Sequence, residues 1–126
     1  MLKKVLVLDK GGMAPSLAKG LESELKCSVE VIRDGSFARA YLDANEICLA
    51  IVNPYFEQGG VIYAYVDFIK NDLSKKVIPI LVFSRVSLEK IAEKAKLRFG
   101  KDYQAYLRKP AQLDEFIESI NAININ

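Results

Sequence analysis

The chain has 126 residues, of which 51% are hydrophobic and 27% charged. That balance fits one ordinary globular domain and excludes a disordered or fibrous chain. A net charge of +2 is too small to point by itself to nucleic acid or a membrane surface, and the absence of histidine removes His-Cys zinc sites, imidazole-activated nucleophiles and a histidine phosphotransfer role.

From the start, Met1-Leu2-Lys3-Lys4 is positive, but the apolar run Val5–Leu8 is far too short for a signal peptide, so a cytoplasmic location is expected. That run predicts the first strand. Pro15 then suits an early helical position, with Leu17, Leu21 and Leu25 forming one face. Val29–Ile32 alternates apolar and polar residues and predicts a second strand near an edge. Ala38, Tyr41 and Leu42 mark the second helix, and Cys48–Val52 the third strand. The spacing of Ile62, Tyr65, Val66, Ile69 and Leu73 predicts the third helix, and Val77–Phe83 the fourth strand. Ser87, with Glu89 behind it, reads as the N-cap of a fourth helix carrying Leu88, Ile91, Ala92, Ala95 and Phe99. Ala105–Leu107 is the fifth strand, and Leu113, Phe116, Ile117 and Ile120 mark the fifth helix. Alternating strands and helices with short connections predict an α/β, doubly wound (βα)5 sandwich on a parallel five-stranded sheet of order 2-1-3-4-5. One domain over residues 1–122 is expected, followed by a tail over 123–126. Cys27 and Cys48 read as buried thiols rather than a disulfide.

In a doubly wound sheet, ligands gather at the carboxyl ends of the strands. Those ends carry Asp9, Lys10, Gly11 and Gly12 after the first strand, Asn53 and Pro54 after the third, Ser84 after the fourth, and Tyr106 with Lys109-Pro110 in and after the fifth. Gly11-Gly12 lacks both the dinucleotide and the P-loop glycine pattern and reads as a turn. This constellation resembles the response-regulator receiver family of two-component signalling, of the CheY-like type, over essentially the whole chain. Residues 33–42 look like that family's second-helix entry, and Pro79–Ser84 like its fourth strand. The resemblance implies that Ser84 is the hydroxyl that turns toward a phosphoryl group, Tyr106 the coupled switch aromatic, Lys109 the phosphate's cation, and Asp9 one of two acids that organise Mg²⁺.

Two positions depart from the family pattern. Lys10 stands where the second acid belongs, and Asn53 where the phosphoacceptor Asp belongs. An amide lacks the charge and basicity to attack phosphorus, and deamidation through the next backbone nitrogen is closed because that nitrogen belongs to Pro54. Asn-Pro also suits a plain turn, so Asn53 is compatible either with loop closure or with a hydrogen bond in the pocket. If Lys10 points inward, Asp9 stands with two cations, Lys10 and Lys109, and each opposes Mg²⁺, a unit-charge pair at about 4 Å amounting to roughly 4 kcal/mol at an effective dielectric of 20; if Lys10 snorkels to solvent, the pocket is neutral and still lacks two of the family's three acids. No Mg²⁺ or other cofactor is therefore expected. An ammonium, from Lys10 or Lys109, is expected to pair with Asp9 in the metal's place.

These readings predict a degenerate, non-enzymatic receiver: a protein-interaction module, independent of phosphorylation, that engages a protein partner or output domain. The alternatives are a small-molecule or anion-binding domain on the same fold, or a receiver phosphorylated elsewhere, on Asp9 or Glu57. Lys90, Lys94, Arg98 and Lys101 fall near one face of the predicted fourth helix, and Asp114, Glu115 and Glu118 on the outer side of the fifth. They form either a solvated surface or a partner surface, in the latter case allowing a homodimer through the fourth helix, fifth strand and fifth helix. Residues 99–103 lengthen the segment before Lys109 relative to the family, and Tyr55-Phe56 is a candidate contact point or cover for the pocket.

Overall fold

A computed structural model describes residues 3–9, 11, 13–33, 35–57, 61–63 and 65–123. Five strands, β1 (Lys4–Leu8), β2 (Ser28–Ile32), β3 (Leu49–Val52), β6 (Ile80–Ser84) and β7 (Ala105–Arg108), pair in parallel in the order β2-β1-β3-β6-β7. This is the expected 2-1-3-4-5 order. The continuous apolar runs occupy the centre, where both faces are covered, and the alternating β2 lies at an edge.

Alternate residues of each strand feed two cores. Leu6, Leu8, Ala50, Val52, Ile80 and Val82 pack beneath helices α2 (Gly35–Ala44), α3 (Phe68–Leu73) and α4 (residues 88–95), while Val5, Val7, Leu49, Ile51, Leu81 and Phe83 pack beneath α1 (Ala14–Leu25) and α5 (Leu113–Ala122). At the second face, Phe83 and Phe116 meet edge to face, centroids 4.7 Å apart. Gly20 lets α1 approach α5: a Cβ there would lie 2.9 Å from the Leu113 side chain.

Three local expectations are corrected. First, Val61–Tyr63 is not the start of the third helix but strand β5, which pairs antiparallel with β4 (Tyr55–Glu57). β-branched and aromatic residues on both sides of Gly59-Gly60 favour a ribbon over a helical turn. α3 then starts later and is wound as a π-helix, with Ser74 N–H bonding back to the Ile69 carbonyl at 3.1 Å.

Second, the fourth sheet strand starts at Ile80 rather than Val77, which is 85% exposed in a left-handed turn (φ 55°). Third, α4 begins as an α-helix over Leu88–Lys90, capped by Ser87 as expected, and continues as a π-helix over Ile91–Ala95. Lys96 turns left-handed (φ 57°) and ends it. Phe99 therefore lies outside the helix and is 65% exposed; Leu97 and Tyr103 fill the core in its place.

Candidate functional site at the carboxyl ends of the strands

Strand pairing carries the site residues to one end of the sheet and fixes their backbones. Asn53 N–H donates to the Leu8 carbonyl at 2.9 Å, and Lys109 N–H donates to the Ser84 carbonyl at 2.9 Å. Asp9, Asn53, Ser84 and Lys109 thus stand at the ends of four adjacent strands.

Asp9 is buried, at 3% exposure. A carboxylate taken out of water survives only with a cationic partner and filled lone pairs, and Asp9 has both. The Lys109 ammonium lies 2.7 Å from its Oδ2. Its Oδ1 accepts from Gly11 N–H at 2.9 Å and from the Asn53 amide at 3.2 Å. Lys109 is itself largely enclosed and sits 4.8 Å from the centroid of the Phe83 ring, in reach of a cation–π attraction. Gly11 closes over the pair: a Cβ at this position would come within 3.3 Å of both Asp9 Oδ1 and Lys109 Nζ.

A second cluster adjoins the first through Ser84, which is fully buried. Its Oγ accepts from Val86 N–H at 3.1 Å, and the Tyr106 hydroxyl donates to the Val86 carbonyl. The Val86 peptide groups are thereby held by Ser84 and by Tyr106, which packs on the core of the α3–α4 face. Burial raises the Tyr106 phenol above its ordinary range; Arg108 opposes the shift and Glu89 adds to it.

The ammonium expected on Asp9 is thus that of Lys109, while Lys10 and Gly12 lie outside the described residues. Asn53 does more than close a turn, since its amide reaches Asp9. Gly11, read from the sequence as part of a turn, and Phe83, read as part of a strand, join the site through a backbone N–H and a ring face, which carry no signature in sequence. The Tyr55 and Phe56 backbones form β4, immediately beyond Asn53-Pro54.

Of the expected partner surface, Lys90 and Lys94 lie on α4, where Lys94 is 3.5 Å from Glu93. Arg98 and Lys101 do not share that helical face, because α4 has already ended; they belong to the loop before β7. On α5, Glu115 completes a capping box with Gln112 and Asp114 accepts from the Glu115 N–H, so both acids also complement the helix N-terminus, and Glu118 lies exposed one turn on. Cys27 and Cys48 are free and half-buried, and burial pushes both thiols up. No helix among the described residues is long and apolar enough to cross a membrane.

Comparison with protein-family profiles and with curated proteins finds no match. Solved structures do match. A response regulator receiver protein from Pseudomonas putida aligns with a TM-score of 0.75 at 20% identity, over 98% of each chain. A two-component response regulator from Clostridium difficile aligns at 0.74 and 18% identity, over 95% of this chain and 93% of that one. The chemotaxis protein CheY4 of Vibrio cholerae also aligns at 0.74 and 18% identity, over 98% of this chain and all of the other. The chain has the fold of the response-regulator receiver domains.

Proposed function

We propose that this chain is a signalling module of the receiver type that engages its protein partner or output domain without phosphoryl control. One observation carries the reading: the residue at the carboxyl end of β3 is an amide, and its Nδ2 is spent on Asp9 Oδ1 at 3.2 Å while Lys109 holds Oδ2 at 2.7 Å. The pocket's carboxylate is already neutralised, and the group beside it cannot attack phosphorus.

Mg²⁺ does not fit this donor set. It takes hard oxygen ligands in near-octahedral geometry, whereas the described residues of the pocket supply one carboxylate, whose two oxygens already accept from an ammonium, an amide and a peptide N–H. Lys109 does the metal's electrostatic work as a tethered cation. The Ser84–Val86–Tyr106 cluster remains assembled beside it, so the surface presented to a partner stays in one state.

Incubation with acetyl phosphate and Mg²⁺, followed by intact-mass measurement, tests the reading. The mass is expected not to change. A stable adduct of one phosphoryl group would overturn it, and mapping that adduct to Asp9 or Glu57 would make the chain a receiver with a displaced acceptor.

A further inference from the structure

A cleft of about 770 Å³ opens between α3, α4 and the loop that follows α4, and none of the Asp9 pocket's residues lines it. Lys70 of α3, Lys96 at the end of α4, and Arg98 and Lys101 of the loop line it, and all four are exposed. None of these side chains makes an ion pair with another described residue. Two acids share the lining, and both are engaged: Glu93 lies 3.5 Å from the Lys94 ammonium, and Asp102 Oδ2 accepts from the Arg98 backbone N–H at 2.7 Å. The lining therefore carries four cations against two carboxylates, a net positive charge that favours anions.

Two further features converge on the same place. π-helices are rare and concentrate at functional positions, and both π-helical segments among the described residues, Phe68–Leu73 and Ile91–Ala95, contribute lining residues here. The loop is also set in advance: Lys101 and Asp102 N–H groups bond to the Arg98 carbonyl at 3.2 and 2.8 Å, and Gly100 N–H bonds to the Tyr103 carbonyl at 2.7 Å. Between Arg98 and Lys101 this loop exposes Phe99, its ring edge-on to Tyr103 at 5.7 Å.

We propose that this cleft docks an acidic peptide segment of a protein partner, with an apolar residue of that segment against Phe99. Cations on separate walls suit carboxylates spaced along a chain better than one compact anion, and the exposed Phe99 beside Arg98 pairs two residue types enriched at protein-recognition sites. A preorganised loop lowers the ordering cost of binding. This holds whether or not the Asp9 pocket takes a phosphoryl group, so the acetyl phosphate result neither supports nor removes it.

The test is an amide chemical-shift titration of the whole chain with a capped Glu-Glu-Phe-Glu-Glu peptide, and with inorganic tripolyphosphate as the compact anion. Peptide shifts are expected at Lys70 and across residues 96–102, with affinity falling about tenfold on going from low to physiological salt. The double variant Lys70→Glu, Lys101→Glu is expected to bind at least about tenfold more weakly at an unchanged melting temperature. Shifts spread equally over remote lysines such as Lys19 and Lys75, or none at millimolar peptide, overturn the site. Tripolyphosphate binding the same amides more tightly than the peptide overturns the acidic-peptide assignment. Both readouts come from the unmodified protein, so a variant that fails to fold does not obscure them.

Discussion

The two ends of the sheet handle the same chemistry in opposite ways. At the carboxyl end a lysine, Lys109, is enclosed, paired with a buried acid and laid over an aromatic ring. At the amino end Lys96, Arg98 and Lys101 stand in solvent with no ionic partner among the described residues. Left-handed backbone is used at both ends but mostly at the amino end: Lys26, Val77 and Lys96 adopt it where a helix hands over to the next strand, and Tyr65 adopts it ahead of α3. Non-glycine residues pay for that geometry. The carboxyl end is thus a fixed, internally satisfied polar cluster, and the amino end an open surface whose charges remain free for another molecule.

Removing the enclosed cation breaks this contrast most severely. Lys109→Met leaves Asp9 buried without a counter-charge and is expected to cost about 3–5 kcal/mol in urea denaturation, with Asp9→Asn in the same chain restoring part of the loss. A cost below about 1 kcal/mol would mean that Asp9 finds another partner or reaches water, and the two ends would then not differ in kind.

Next in size, Tyr106→Phe removes the donor to the Val86 carbonyl and is expected to cost about 1 kcal/mol. Tyr106 also sharpens the pH dependence. Burial raises the phenols of Tyr41, Tyr103 and Tyr106 in the folded chain, so the unfolded chain ionises first. Their stabilisation is full below about pH 10 and is lost as pH rises through the folded values, with the Cys27 and Cys48 thiols starting the decline from about pH 8.5. Melting temperature is expected to be insensitive to these groups at neutral pH and to fall on the alkaline side, less steeply in the Tyr106 variant.

At the amino end, effects are small or reversed. Val77→Asn relieves a β-branched residue of its left-handed backbone without losing packing and is expected to stabilise the chain by about 1 kcal/mol. Lys101→Ala is expected to change stability by less than about 0.5 kcal/mol. The contrast between that value and the Lys109 result measures how differently one residue type is used at the two ends.

Much of the sheet was legible because buried parallel strands write continuous apolar runs, and Asp9, Asn53, Ser84 and Lys109 could be placed because each follows such a run. The β4–β5 ribbon was hidden by a coincidence of period: Ile62, Tyr65, Val66, Ile69 and Leu73 suit a helical face. Phe99 continues the spacing of Ile91 and Ala95, and nothing about Lys96 announces a left-handed stop. In the site, the roles of Gly11 and Phe83 depend on a backbone hydrogen bond and on the height of an ammonium above a ring, which only the folded chain defines.

The central claim, that Lys109 and Asn53 occupy Asp9 in a pocket fixed in one state, meets its most direct test in titration with beryllofluoride and Mg²⁺, followed at the amides of Gly11, Asn53, Ser84, Val86 and Tyr106. A locked pocket leaves these resonances in place up to tens of millimolar Mg²⁺. A saturable displacement of all five would show that the pocket accepts a phosphoryl mimic, and would contradict the claim outright.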